Sequence, residues 1–246
     1  MNALTIGISI YVEATGKTYH TLDDWGYALG NNNYISDPEQ ETAYVNVPYR
    51  DGLIDVSEAL TGRPIFKKRT LSFELGGIHP RLNWDSVVSS LRNNIHGKIC
   101  RLTLDNDKSY YWRGRVYVQD FDRSRELGTF KLNVPECEPY KYDITASNEE
   151  WLWDPFNFET GVITTIPMLE VNGIETVTIP SGHMLVSPQF EVSDVVSLTV
   201  SDGTVTKTLQ NGLQRFPSIR VGGSEDVTLT FTGQGNVQII YRGGSL

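Results

Sequence analysis

Alternation of apolar and polar residues with a period of two dominates the chain and restricts it to a fold built mainly from β-strands. Leu71, Phe73 and Leu75 alternate with polar residues, and the same pattern recurs in residues 116–118 and 130–134. Successive side chains of a strand point to opposite faces, so this period is typical of half-buried strands. The sequence therefore predicts a mainly β fold.

One segment, residues 83–96, has a helical period instead. Its apolar residues are Trp84, Val87, Val88, Leu91 and Ile95. This spacing forms a single apolar stripe that faces a core. Asn83 suits the N-cap and Gly97 suits the C-terminal end. We expect one amphipathic helix here, with His96 as a capping or surface residue in its last turn.

A change of composition at residues 135–148, PECEPYKYDITASN, indicates a domain boundary, because two prolines interrupt the strand pattern. Short runs rich in Thr, Val and Ser follow, and Asp-Gly within residues 201–204 predicts a hairpin turn. Regular short strands with Gly and Pro turns are typical of a β-sandwich. We predict two domains, residues 1–139 and residues 140–246.

Charge and cysteine content exclude several classes of protein. The formal net charge is -9, whereas binding that neutralises nucleic-acid phosphates needs a basic face. The two cysteines are Cys100 and Cys137, and alternation around Cys100 predicts a buried free thiol. The start, MNALTIGISIYV, predicts a first strand and not a signal peptide. No run approaches the ~18 apolar residues of a membrane helix, and we expect the chain to fold in the cytoplasm.

The stretch DNDKSYYWRGR, residues 105–115, contains two aspartates that suggest a metal site. A calcium loop of the EF-hand type needs glycine at its sixth position and an acidic ligand at its twelfth. Counted from Asp105, these positions are Tyr110 and Val116. We therefore predict that DNDKS is a polar turn between two strands.

The aromatic and basic residues of the same stretch fall on opposite faces of the predicted strand. Trp112 faces the core, whereas Arg113 and Arg115 share the open face. A stacking platform for single-stranded nucleic acid would place rings and arginines together. We expect the two arginines to meet solvent or a neighbouring subunit.

Motifs for catalysis are absent from the sequence. No nucleophile elbow, zinc-protease helix or phosphate-binding loop occurs. The four histidines have no metal-ligand spacing and are His20, His79, His96 and His183. Carboxylate pairs such as Asp23–Asp24 and Glu149–Glu150 are more typical of a surface than of a glycosidase. We expect no enzymatic activity, no metal and no cofactor.

Sugar binding by the C-terminal domain is the alternative function. A sugar site commonly stacks an aromatic ring on the sugar face beside a few polar groups. All five tryptophans lie at or before Trp153, so Tyr241 or Phe231 would have to supply the ring. A core position is favoured for either ring.

Five motifs between Val45 and Val118 follow one another in a specific order. They are VNVPYRDGLIDVSEALTG, KKRTLSFEL, LRNNIHGK, RLTLDND and YYWRGRVYV. This order resembles the N-terminal domain of siphophage distal tail proteins, and PYKYDI at residues 139–144 resembles the junction between domains in that family. The resemblance covers roughly the first ~60% of the chain, and the remainder matches by length and β character.

The resemblance assigns candidate interface residues. Arg50, Asp51, Gly52 and Asp55 match the N-terminal motif of the family. Gly97 and Gly114 match its helix end and its second strand, and Arg113 and Arg115 flank Gly114. Backbone geometry at turns and close approaches is the favoured explanation for the glycines.

The resemblance also implies a structural role. Distal tail proteins form hexameric rings at the tip of a long non-contractile tail, where an N-terminal belt domain builds the ring and a galectin-like β-sandwich projects outward. The ring joins the tail tube protein to a tail-associated fibre or lysin protein, and in some phages it holds receptor-binding baseplate proteins. DNA passes through the channel. The expected location is the virion, after assembly in the host cytoplasm, without membrane insertion. The alternative is a glycan-binding adhesin that uses the C-terminal sandwich.

Overall fold

The computed structural model confirms the mainly β fold with a single described helix. It describes residues 6–77, 84–122, 128–149 and 165–246. Strands account for 52% of the described residues and helix for 6%. The chain forms two compact units. Unit 1 comprises Met1–Asn106 and Trp112–Pro139, and unit 2 comprises Asp107–Tyr111 and Tyr140–Leu246.

Unit 1 contains one helix and most of the short strands. Its elements in chain order are β1 (Ile8–Val12), β2 (Lys17–His20), β3 (Tyr27–Leu29), β4 (Tyr34–Ile35), β5 (Tyr44–Val45), β6 (Ile54–Asp55), β7 (Arg69–Gly77), α1 (Trp84–Ile95), β8 (Ile99–Leu104), β9 (Asp107–Arg115), β10 (Tyr117–Asp122) and β11 (Thr129–Cys137). Of β9, the first five residues belong to unit 2.

Two antiparallel sheets and α1 enclose the core of unit 1. One sheet has the order β9-β8-β1-β2, and the other has the order β10-β11-β7-β3, with β4 also paired to β7. Ile10 of β1, Phe73 of β7, Leu132 of β11 and Leu91 of α1 belong to a single buried cluster. The period-two residues of the sequence therefore face one another across this core.

The helix lies in the predicted segment, although Asn83, its predicted N-cap, is outside the described residues. It buries Val88, Leu91 and Ile95. Gly97 follows it with φ +73°, the left-handed conformation that commonly ends a helix. His96 is exposed, which agrees with the expected surface position, and its Nδ1 accepts a hydrogen bond of 3.1 Å from the backbone N–H of Val118.

The predicted turn DNDKS is shorter than expected. β9 already begins at Asp107, so only Asp105 and Asn106 form the turn between β8 and β9. Asp105 stabilises the turn, because its carboxylate accepts hydrogen bonds from the backbone N–H of Gly7 at 2.7 Å and from His20 Nε2 at 3.2 Å. These bonds tie the start of β1 to the hairpin.

Both thiols are buried and free. Cys100 and Cys137 are fully buried in the core of unit 1 and form no disulfide. Burial raises the pKa of the Cys100 thiol to about 11 and that of Cys137 to about 12. The predicted buried free thiol at Cys100 is confirmed, and both residues act as small apolar core residues.

Unit 2 is built on a five-stranded antiparallel sheet. Its strands in chain order are β12 (Lys141–Asp143), β13 (Leu169–Ile179), β14 (Gln189–Ser201), β15 (Thr206–Leu209), β16 (Gly212–Arg215), β17 (Val227–Ile240) and β18 (Gly244–Ser245). The large sheet has the order β13-β17-β14-β15, with β16 also paired to β14. The short strand β12 pairs with β18 and with Tyr110 and Tyr111 of β9.

A hairpin and an apolar core define the large sheet of unit 2. Ser201 pairs with Thr206 across the predicted Asp-Gly turn, whose Asp202 carboxylate accepts a hydrogen bond from the Val205 backbone N–H at 2.8 Å. Phe190 of β14 and Phe231 of β17 are fully buried and pack edge to face, with ring centroids 6.2 Å apart. The galectin-like sandwich implied by the resemblance stays a prediction.

Candidate interaction site

A long segment between β4 and β7 extends from unit 1 and carries the first group of candidate residues. We define this arm as residues 40–66. A bridge between Gln40 and Phe66 closes its base, where the backbone N–H of Glu41 donates to the carbonyl of Ile65 at 2.8 Å. Further along, only the two-residue strands β5 and β6 pair with each other. The arm is therefore a long hairpin held by few backbone hydrogen bonds.

The arm exposes seven large apolar side chains to solvent. They are Tyr44, Val45, Val47, Tyr49, Leu53, Leu60 and Ile65. Tyr49 and Leu60 are wholly exposed, at 110% and 100% of their reference areas. If a whole tyrosine side chain presents about 200 Å², Tyr44 and Tyr49 alone expose about 300 Å². Exposed apolar surface of this size within one segment favours a protein interaction site.

The candidate residues Arg50, Asp51, Gly52 and Asp55 all lie in the arm and are exposed. Gly52 has φ +79°, a left-handed conformation that strains any residue with a Cβ. Asp55 braces the hairpin, because it accepts hydrogen bonds from the backbone N–H of Ser57 at 2.9 Å and from its hydroxyl at 2.5 Å. The Ser57 hydroxyl bond holds the pKa of the Asp55 carboxyl below its usual value.

Arg113, in the second group of candidates, is held in an ion-pair cluster. Its Nε and Nη2 donate to the two carboxylate oxygens of Glu13 at 2.9 and 2.8 Å, and its Nη1 donates to Glu138 at 2.5 Å. These hydrogen bonds lower the pKa of the Glu13 carboxyl and raise that of the Arg113 guanidinium. Arg113 is therefore paired with carboxylates and partly exposed, with 35% of its side chain accessible, and the neighbouring Arg115 is exposed. Strand alternation alone does not reveal the distant carboxylates that pair with Arg113.

Gly114, Gly97 and Arg115 have backbone and packing roles. A Cβ on Gly114 would lie 2.4 Å from Cγ1 of Val134 and 3.1 Å from Cα of Cys137, so β9 and β11 approach here as only glycine allows. Arg115 is exposed, and its guanidinium donates a hydrogen bond to the carbonyl of Gly97. Arg115 thus binds the peptide group that ends α1.

A groove of about 340 Å³ in unit 1 gathers part of this second group. Its lining includes Lys68, Arg113, Gly114, Arg115, Tyr117 and Glu138. Two of its cations are paired, since Lys68 lies 3.5 Å from Glu136 and Arg113 lies between two carboxylates, whereas Arg115 donates to the carbonyl of Gly97. The groove therefore offers little concentrated charge to a ligand.

The described residues offer little support for a sugar site or a metal site. Trp112 is buried as predicted, at 7% exposure, and Phe231 and Tyr241 are also buried, at 0% and 6%, so neither ring is available to stack on a sugar. In the described residues no group of three or more His, Cys, Asp or Glu could hold a metal ion. Among the described residues, no helix is long and apolar enough to cross a membrane. His79 and Glu150 lie outside the described residues.

Sequence reasoning did not single out the apolar side chains of the arm or the carboxylate of Glu13. The arm sequence does hold a signal. From Ala43 to Leu60 apolar residues are frequent, Val45, Val47 and Tyr49 alternate, and Pro, Gly and Asp interrupt the run. Such a run is typical of short strands separated by turns.

Comparison with solved structures shows the fold. No protein-family model and no curated protein sequence matches the chain. The structure of the SPP1 Dit (gp 19.1) protein, a paradigm of the hub adsorption apparatus in Gram-positive infecting phages, matches with a TM-score of 0.58 and 13% identity over 97% of this chain and 99% of that one. The phage P2 baseplate in its activated conformation with Ca matches with a TM-score of 0.42 and 9% identity, covering 99% of this chain and 96% of that one. The chain has the fold of the SPP1 Dit protein, and the resemblance found in the sequence is confirmed at that level.

Proposed function

We propose that the chain is a structural hub protein of a long non-contractile phage tail tip. Six copies form a ring that joins the tail tube protein to the tail fibre or baseplate proteins, and DNA passes through its channel. Unit 1 is the ring-forming part and unit 2 is the outward galectin-like part. The role is mechanical and needs neither catalysis nor a cofactor. Its place is the virion, after assembly in the host cytoplasm.

The fold supports this proposal. The SPP1 Dit protein, whose fold the chain shares over almost the whole length of both molecules, is a hub of an adsorption apparatus. A shared fold alone does not determine a function, because one fold can serve several. The proposal therefore needs an observation on this chain's own surface.

The exposed apolar arm is that observation. Tyr49 and Leu60 present their whole side chains to solvent, and a backbone bridge between Gln40 and Phe66 closes the base of the arm. Burial of such side chains is worth about 1.5–3 kcal/mol each. A head-to-tail contact, in which each copy inserts its arm against the next, closes into a ring when the rotation between copies fits. A second copy of the chain is thus the partner that would cover the arm.

Mass in solution tests the proposal. Six chains of 27.6 kDa form a ring of about 166 kDa, which light scattering and negative-stain microscopy would detect. We expect this mass at high protein concentration or in the presence of tail-tip partners. A strict monomer under both conditions, with no ring in micrographs, would contradict the proposal.

Matched surface variants connect the ring to the arm. We expect the double variant Tyr49→Ser, Leu60→Ser to lose about 3–6 kcal/mol of burial at each contact and to remain monomeric. The control Val196→Ser, Leu213→Ser removes two exposed apolar side chains from unit 2, at 77% and 61% exposure, and should keep the ring. Equal masses for the two double variants would refute the role of the arm.

The charge of the chain suits a conduit for DNA. With a net charge of -9, the chain repels a polyanion, whereas a basic channel would retain it. We expect the narrowest part of the ring to be neutral or negative. A ring structure whose bore is lined by unpaired Lys and Arg would contradict this expectation.

A further inference from the structure

A small cavity in unit 2 has a mainly apolar lining with a few polar groups that the hub function does not use. It measures about 60 Å³, and its lining includes the side chains of Tyr110, Asp143, His183 and Tyr241. Four glycines complete much of the wall and supply only main-chain atoms. A cavity of this volume holds about four water-sized groups.

The Asp143 carboxylate faces this cavity without a hydrogen bond from any residue that the structure describes. Its side chain packs on Gly243, where an added Cβ would lie 2.3 Å from Asp143 Oδ2. Only glycine therefore allows the carboxylate to take this position. Burial raises the pKa of Asp143 to about 6, although Arg242, His183 and Lys141 oppose the shift. A carboxylate without donors is one that an incoming donor would stabilise.

The Tyr241 hydroxyl is a second polar group without a partner. Tyr241 is only 6% exposed, and its Oη is buried with no hydrogen bond among the described residues. Burial, together with the charge of Asp143, raises the pKa of the phenol to about 12. The hydroxyl therefore stays protonated and can still accept a hydrogen bond through its oxygen.

The neighbouring cations do not neutralise Asp143. Arg242 donates to the backbone carbonyl of Asp143 at 2.6 Å and lies 3.1 Å from the Glu149 carboxylate. Lys141 lies 2.8 Å from the Asp107 carboxylate and over the ring of Tyr110. Each cation thus has its own anion, and one negative charge remains at the cavity.

We propose that this cavity binds a primary ammonium group, which donates hydrogen bonds to the Asp143 carboxylate and the Tyr241 oxygen. An ammonium has three donors and one positive charge, which match one carboxylate, one phenol and the glycine main chain. A divalent metal is a poorer match, because it prefers several carboxylate or carbonyl oxygens. On the proposed hub function, the natural source is a lysine side chain of a partner protein.

An NMR titration of the full chain with methylammonium chloride tests the site. At about pH 7.5 we expect saturable shifts of the Asp143 and Gly243 amides. Tetramethylammonium chloride, which has the same charge but no N–H donor, should give none. At about pH 5 the affinity should be about tenfold weaker, because only about one-tenth of Asp143 is then ionised.

Two variants separate binding from folding. Asp143→Asn should abolish saturation, and Tyr241→Phe, which removes only the hydroxyl, should weaken binding by about threefold to tenfold. The proposal is overturned if methylammonium gives no saturable shift, if tetramethylammonium gives the same shifts, or if both variants bind like the wild type. The titration needs no ring, so its failure would leave the hub proposal intact, and failure of ring formation would leave this site intact.

Discussion

Replacement of Asp143 by Asn should change how the stability of unit 2 depends on pH. The wild-type carboxylate is half-buried without a hydrogen bond to a described residue, and its pKa is raised to about 6 from an ordinary value of 3.8. Asn has nearly the same shape and carries no charge. The variant therefore resembles the protonated form of Asp143 at every pH.

The size and sign of the effect follow from the two pKa values. The difference of about two units corresponds to about 3 kcal/mol, at about 1.4 kcal/mol per unit. Because the folded state binds the proton more tightly than the unfolded state, the wild-type free energy of unfolding falls as the pH rises from about 4 to about 6. Asp143→Asn lacks this fall. Relative to wild type, the variant should gain up to about 3 kcal/mol between about pH 4 and pH 7.

Urea unfolding at a series of pH values, followed through the methyl signals of Leu229 and Val237 in β17, measures this change in unit 2. The difference in unfolding free energy between two pH values is compared for wild type and variant. This comparison cancels any effect of Asn on stability that does not depend on pH. Arg242, His183 and Lys141 face Asp143 and remain in both proteins. Parallel stability curves for wild type and variant between about pH 4 and pH 7 would refute the reasoning.

Two further predictions concern unit 1 and can be checked by urea unfolding. Gly114→Ala should lower the free energy of unfolding by about 1–3 kcal/mol, because the new Cβ would meet Val134 at 2.4 Å, whereas Gly76→Ala, where a Cβ meets nothing within 4 Å, should have little effect. Glu13→Gln should cost about 1–2 kcal/mol near neutral pH by weakening the hydrogen bonds with Arg113. Since the pKa of Glu13 is lowered in the folded state, this cost should be lost as the pH falls through that lowered pKa, and a cost that persists once Glu13 is protonated would argue against the ion pair as its origin.

Local patterns predicted much of the fold because each depends on residues close in sequence. The alternation at Leu71, Phe73 and Leu75 became β7, and the helical stripe became α1. The Asp-Gly turn became the β14–β15 hairpin for the same reason. In the strand and in the helix, the period of apolar residues in the sequence defines the face that is buried.

The candidate site was less predictable because its determinants are distant or aperiodic. Arg113 and Glu13 are 100 positions apart, and their contact depends on the pairing of whole strands. The arm contains only two-residue strands, which are too short to show a period. Asp143 lies in the polar run that indicated a domain boundary, and nothing in that run distinguishes a buried carboxylate from a solvated one.

Because Asp107–Tyr111 belongs to unit 2, recombination cannot exchange unit 2 as one continuous C-terminal segment. Tyr110 and Tyr111 pair with Asp143 and Tyr142 of β12, although 30 residues, most of them in unit 1, lie between Tyr111 and Tyr142. A single recombination crossover near residue 140 would therefore join a new C-terminal unit to a foreign β9 edge. Successful exchange would require either a matching pair of tyrosines in the recipient or transfer of the longer segment that begins before Asp107.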